Sequence, residues 1–208
     1  MSASNLRRLN KRKPLIVVLS GPSGVGKSTL VERLLQRNRN FVESVSATTR
    51  IKRAGERHGR DYFFMTPATF RNKWRRGEFI ETARIFDAWY GTPKQAVLNA
   101  IAKGRTVLFD IDILGGRAIK RWRQEAILIF VMPPSLAVLK RRLLGRKTES
   151  SESARKRLGR ALKEMKVWTK YDYVVCNDDL EATVALIDQI IRAESQRVTR
   201  CGTINLME

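Results

Sequence analysis

Gly26, Lys27 and Ser28 are consecutive and Gly21 stands five residues before Gly26, so residues 21–28 read G-x-x-x-x-G-K-[ST]. Glycines let successive backbone N–H groups turn inward on one anion. An ammonium at Lys27 then meets the outer oxygens of a polyphosphate, and a hydroxyl at Ser28 ligates a divalent cation. The expected contact set is continuous: Gly21, Pro22, Ser23, Gly24, Val25, Gly26, Lys27, Ser28 and Thr29. Two carboxylates follow an apolar run at 107–109, and Asp110 and Asp112, two apart on a strand, should share a face. Asp110 is expected beside the cation with Ser28; the competing reading makes a strand-end aspartate the cap of the next helix. Arg50 and Arg53 in one segment, and Arg142, Arg146 and Arg157 around another, supply guanidinium groups that can hold phosphate oxygens in pairs. His58 is the single histidine, and the sequence has no G-x-S-x-G and no Cys/His ligand cluster. A reaction without a general base fits an acceptor that is already ionised, such as a phosphate monoester, with positioning and charge neutralisation left to the protein.

Such groups need a scaffold. Residues 15–19 are all apolar and predict a strand buried on both faces, and Leu30, Val31, Leu34 and Leu35 predict a helix behind the glycine loop. Further strands are expected at 41–46, 106–112, 127–131 and 173–176, with helices at 93–103, 113–122, 135–144, 152–168 and 180–194. Alternating buried strands and helices predict a parallel sheet covered on both faces, with ligands at the carboxyl ends of its strands. Residues 47–93 break the alternation: a polar loop, a strand at 62–65, a helix from Pro67 capped by Thr66, and short strands at 79–86 and 89–90 predict an inserted mixed lobe. Residues 145–151 read as a polar loop, 1–13 as a flexible basic arm and 195–208 as a frayed tail.

The chain of 208 residues is long enough for one domain with an insertion, and its 43% apolar content is that of a globular protein. No apolar run approaches the roughly 20 residues of a membrane span, and the basic start is followed by too short an apolar run for a secretory leader. Two cysteines make no disulfide framework, which points to a reducing cytoplasm. Lys and Arg number 41 against 20 acids, a formal charge of +21. The surface should attract polyanions; the readings are a solvated basic surface with weak, non-specific nucleic-acid binding, or a dedicated RNA contact in the arm.

Taken together and in order, several stretches resemble guanylate kinase: the residues 20–28, 44–50 (S-V-S-A-T-T-R) and 53–62 (R-x-G-E-x-x-G-x-D-Y), then Gly77 to Glu81, Tyr90-Gly91, Asp110-Ile-Asp112, Pro133-Pro-Ser135, Gly145-Arg146 and Asn177-Asp-Asp179. The resemblance spans about 14–194. It implies a nucleotide kinase core at 14–46 and 94–194, an inserted α+β lobe for the nucleoside monophosphate at 47–93 and a small lid at about 145–157. It implies transfer of the γ-phosphoryl group of ATP-Mg²⁺ to GMP. By position, Arg50, Arg53, Tyr62 and Tyr90 would hold the GMP phosphate, and Ser46, Glu81, Thr92 and Asp112 the guanine. Lys27, Ser28 and Asp110 would serve ATP and Mg²⁺, and Arg142, Arg146 and Arg157 would clamp phosphates. Thr82, Trp89, Leu114 and Lys147 depart from the usual pattern without removing a named contact.

Two other readings compete. A phosphopeptide-binding module built on this fold lacks the phosphate loop, which is intact here. A kinase for another phosphorylated acceptor, such as a ribose bisphosphate, would have no use for Ser46, Glu81 and Asp112.

Overall fold

The computed structural model describes residues 13–85, 87–144 and 151–200, with the backbone alone at 151–157. Its centre is a five-stranded parallel sheet in the order β2-β7-β1-β8-β9: β1 (Ile16–Ser20), β2 (Phe41–Glu43), β7 (Thr106–Asp110), β8 (Ile127–Met132) and β9 (Tyr173–Cys176). Every residue of β1 is buried, because alternate side chains enter opposite layers. Leu15, Val17 and Leu19 pack with Leu30 and Leu34 of α1 (Lys27–Arg37) and with Val184, Ile187 and Ile191 of α7 (Leu180–Ser195). Ile16 and Val18 pack on the other face with Val97 of α3 (Lys94–Ala102) and Ile119 of α4 (Ile113–Trp122). This two-sided cover explains the unbroken apolar runs.

A second, four-stranded sheet runs β4-β3-β6-β5: β3 (Ala47–Thr48), β4 (Phe63–Phe64), β5 (Phe79–Ile85) and β6 (Ala88–Pro93). β6 is antiparallel to both neighbours, and β3 and β4 are parallel. Its core is small: Ala47, Phe70 and Phe79 are buried, with Phe63, Met65 and Trp89 against them. Phe70 belongs to α2 (Pro67–Arg75), whose N-cap Thr66 accepts from Thr69 N. The first part of β5 packs on α4, so the second sheet is seated on the central one, with Ile80 entering the Ile16/Val18 layer.

Several expected boundaries move. The strand expected at 41–46 ends at Glu43, because residues 44–46 carry the chain from β2 in the core sheet to β3 in the lobe. The strand expected at 106–112 ends at Asp110. The helix expected at 152–168 is α6 (Ser151–Met165), followed by a 3-10 turn at Trp168–Lys170; α5 (Leu136–Leu144) precedes it and packs on it through Leu139, Leu143 and Ala161. Residues 195–200 are docked where a frayed tail is expected. Val198–Arg200 is a 3-10 turn, Arg200 Nη2 lies 3.2 Å from the buried Glu194 carboxylate and 2.9 Å from the Glu125 carbonyl, and Lys13 N donates to Arg200 O. The arm at 1–12, the loop at 145–150 and the tail at 201–208 lie outside the described residues.

Candidate active site

The loop between β1 and α1 needs its glycines. Gly21 has φ +152°, and a Cβ there would stand 2.3 Å from the Val131 carbonyl oxygen. Gly26 has φ +101°, and a Cβ would stand 2.6 Å from Asn177 Nδ2. Between them, Val25 is fully buried in the core, so the loop is anchored from below. Lys27 Nζ folds over the loop and donates to the carbonyls of Gly21 and Pro22 at 2.8 and 3.3 Å. Pro22 is buried, Gly24 half-buried, and Ser23 and Thr29 exposed. The open end of the loop therefore meets solvent while its base is fixed.

Ser28 Oγ donates to Asp110 Oδ2 at 2.5 Å. The pairing of β1 with β7 sets Leu19 beside Asp110, so the loop and this carboxylate leave the sheet at the same edge. Asp112 behaves differently from the expectation. It is the N-cap of α4, its Oδ1 accepts from Gly115 N at 2.9 Å, and it does not share a strand face with Asp110. The chain turns at Ile111 to start the helix, and the capping role wins one oxygen. The other, Oδ2, lies 3.7 Å from the Arg160 guanidinium of α6. The fully buried Ser20 hydroxyl donates to the carbonyls of Ile111 and Asp112 and braces that turn.

The second sheet brings a separate group of polar residues together. The β5–β6 register slips between Phe79 and Thr82, and this bulge sets Glu81 opposite Thr92. Thr92, fully buried, donates through Oγ1 to Glu81 Oε1 at 2.6 Å. Burial pushes the Glu81 carboxyl up, Thr92 opposes this, and the charge of Asp112 adds to the rise. Ser46, just before β3, is half-buried, and its carbonyl accepts from Phe63 N.

Arg50 is gripped from two sides. Its guanidinium makes a forked pair with Glu56, at 2.6 and 3.1 Å, and lies over the rings of Tyr62 and Phe64, 5.4 and 5.8 Å from their centroids. Tyr62 and Tyr90 meet edge to face at 5.9 Å. Burial first, and Tyr90 second, push the Tyr62 phenol up, keeping it a neutral O–H donor. Arg53 is exposed, and its N–H donates to Glu56. Sequence reasoning missed Glu56, although it sits inside the quoted 53–62 stretch. It also missed Thr48, whose buried hydroxyl accepts from Arg50 N at 3.1 Å.

Arg142 lies against the glycine loop, donating to the carbonyls of Val25 and Asn177 at 3.3 and 3.2 Å. Arg146 and the side chain of Arg157 lie outside the described residues. Among the described residues no cluster of three or more His, Cys, Asp or Glu forms a metal cage, and no helix is long and apolar enough to cross a membrane.

Comparison with known proteins gives a consistent answer. The guanylate kinase family model matches residues 11–194. A guanylate kinase of Clostridioides difficile is 43% identical over 193 residues, covering 93% of this chain and 94% of that protein. One of Myxococcus xanthus is 46% identical over 193 residues, covering 92% of each. The crystal structure of guanylate kinase from Anaplasma phagocytophilum superposes with a TM-score of 0.74 at 35% identity, covering 93% of this chain and 92% of that one. With a family model spanning most of its length and relatives this similar end to end, the chain belongs to the guanylate kinase family.

Proposed function

We propose that the chain transfers the γ-phosphoryl group of ATP to GMP, giving ADP and GDP. The observation that carries this reading is the link between the two polar groups. β5, which carries Glu81, packs on α4, whose N-cap is Asp112, so the Glu81–Thr92 pair lies beside the end of the phosphate-loop sheet. One cleft thus offers a polyphosphate site and a carboxylate able to read a base. Guanine presents adjacent N–H donors at N1 and N2, which an ionised Glu81 accepts, and an O6 acceptor for the Ser46 hydroxyl, while Thr92 donates to Glu81 and holds it in place. Adenine lacks the 2-amino donor, and its binding would leave these groups unpaired.

In this reading the core at 14–46 and 94–194 holds ATP through residues 21–29. The lobe at 47–93 holds GMP, and the lid at about 145–157 closes over both. Arg50, Arg53, Tyr62 and Tyr90 hold the GMP phosphate. Glu56 keeps the Arg50 fork flat and aimed before the substrate arrives. A GMP phosphate oxygen, already ionised, attacks the γ-phosphorus as the bond to the ADP oxygen breaks, so no side chain has to take a proton. Lys27, Arg142, Arg146 and Arg157 neutralise charge that spreads over the transferring group. Ser28 and Asp110, a hydroxyl and a carboxylate in direct contact, are hard oxygen donors that suit Mg²⁺. Bound there with the nucleotide, the ion would neutralise phosphate charge. A cytoplasmic setting is supported by the two-cysteine composition, with Cys176 a free thiol.

The test is ADP release from ATP-Mg²⁺ with GMP, dGMP, AMP, CMP and UMP offered separately. Turnover with GMP, and with dGMP if the ribose hydroxyl is not read, is the expected result. Turnover with none moves the assignment to a sugar-phosphate acceptor or a binding role.

A further inference from the structure

Asn177 follows β9 and is only 5% exposed, yet it is a polar side chain beneath the most functional loop of the molecule. Its Nδ2 donates to the Val25 carbonyl at 2.7 Å, across 152 residues of sequence. A carbonyl only accepts, so the amide nitrogen, not its oxygen, must face Val25. Arg142 Nη1 donates to the same carbonyl at 3.3 Å, and its Nη2 donates to the Asn177 carbonyl at 3.2 Å. Asn177 is itself fixed, because its N–H donates to Met132 O at 2.8 Å, continuing the β8–β9 ladder.

We propose that Asn177 is a positioning residue that sets the direction of the Val25–Gly26 peptide and so aims the Gly26 N–H at bound phosphate. The peptide unit is planar and trans, so its C=O and N–H point opposite ways. Holding the carbonyl on Asn177 and Arg142 turns the Gly26 N–H away from them, toward the space the loop encloses. Without the latch, a glycine peptide at φ +101° has freedom to rotate. The donor would then be ordered only when phosphate binds, and affinity would fall by that ordering cost. The close approach also explains Gly26 a second way: a side chain there would strike the Asn177 amide at 2.6 Å. The proposal rests on the reading of residues 21–28 as the phosphate site.

The test compares Asn177→Ala and the isosteric Asn177→Asp with wild type. The readouts are KM and kcat for ATP and GMP, and the dissociation constant, by calorimetry, of inorganic tripolyphosphate, which carries phosphates and no base. Loss of one buried hydrogen bond predicts a rise of about tenfold in KM for ATP and in the tripolyphosphate constant, with KM for GMP unchanged. Asn177→Asp should lose as much as Asn177→Ala, since it fills the space but cannot donate. Thr183→Val is the matched control. It removes a hydroxyl bonded to the carbonyls of Cys176 and Asp179 at the same junction, and should lower Tm without moving KM for ATP. Wild-type behaviour of Asn177→Asp overturns the proposal. So does a loss for ATP with none for tripolyphosphate, which would put Asn177 on the base, or an equal rise for ATP and GMP, which would mark general damage. If wild type turns over no monophosphate, the reaction fails while tripolyphosphate binding still decides the latch.

Discussion

The half-buried Glu81 carboxyl accepts from Thr92, and burial pushes its pKa up from the ordinary 4.5. The folded state therefore keeps the proton longer than the unfolded chain does. Stability contributed by this group is full at low pH and is lost as pH rises from about 4.5 through the folded value. Glu81→Gln, which keeps an acceptor for Thr92 and removes the charge, should raise Tm at pH 7.5 and leave it unchanged at pH 4. The same variant, and Glu81→Ala, should raise KM for GMP far more than KM for ATP, since only one substrate meets the carboxylate in the proposed cleft. Thermal melts at the two pH values with a KM comparison check both halves; equal losses for ATP and GMP would remove Glu81 from the base site. Lys27→Ala should abolish turnover while leaving the melt near wild type, because Nζ donates to the Gly21 and Pro22 carbonyls of the loop it serves. Residues of this kind were legible where the motif is contiguous. Lys27 and Ser28 announce themselves by their neighbours. Glu56 and Asn177 do not, because the first acts by returning on Arg50 and the second meets Val25 from the far end of the chain.

At the scale of elements, periodicity revealed the core strands and their helices, and it failed where geometry depends on a partner. Nothing in residues 79–93 shows that β5 slips against β6, yet that bulge is what sets Glu81 opposite Thr92. Asp110 and Asp112 look equivalent in sequence, and only the end of β7 at Asp110 separates a group facing Ser28 from a helix cap. The strand order β2-β7-β1-β8-β9 was equally hidden, since an unbroken apolar run reports burial on both faces and not which strand lies alongside. The layer formed by α1 and α7 on β1 should behave as one unit. Ile187 is fully buried there among Leu30, Leu34 and Val184, and Ile187→Ala should cost roughly 2–5 kcal/mol by lost transfer energy and the cavity left behind. Urea unfolding should show a lower midpoint with an unchanged slope, and KM for GMP, whose proposed site is on the other sheet, should not move.

Over the whole molecule the dominant feature is charge. A formal +21 surrounds a cleft whose expected ligands are polyanions, and cations on the open surface act at a distance only within the screening length, about 10 Å at 0.1 M salt. Charge spread over the surface and charge concentrated in the arm make different predictions for RNA. The arm before Lys13 holds Arg7, Arg8, Lys11 and Arg12 and no acid. If all four met phosphates of a single strand, its removal would reduce the slope of log affinity against log salt by about 3. The basic residues continue through α2 and through the 136–170 region, which has twelve Lys or Arg against three acids, so most of the attraction should survive. The expected outcome is weak RNA binding that falls steeply with salt, with a slope changed by less than about 1 when residues 2–12 are deleted. A loss of about 3 would instead make the arm a dedicated contact. In either case the kcat/KM for GMP should fall as salt rises while kcat stays level, because the surface field speeds the encounter of an anionic substrate and takes no part in the transfer step.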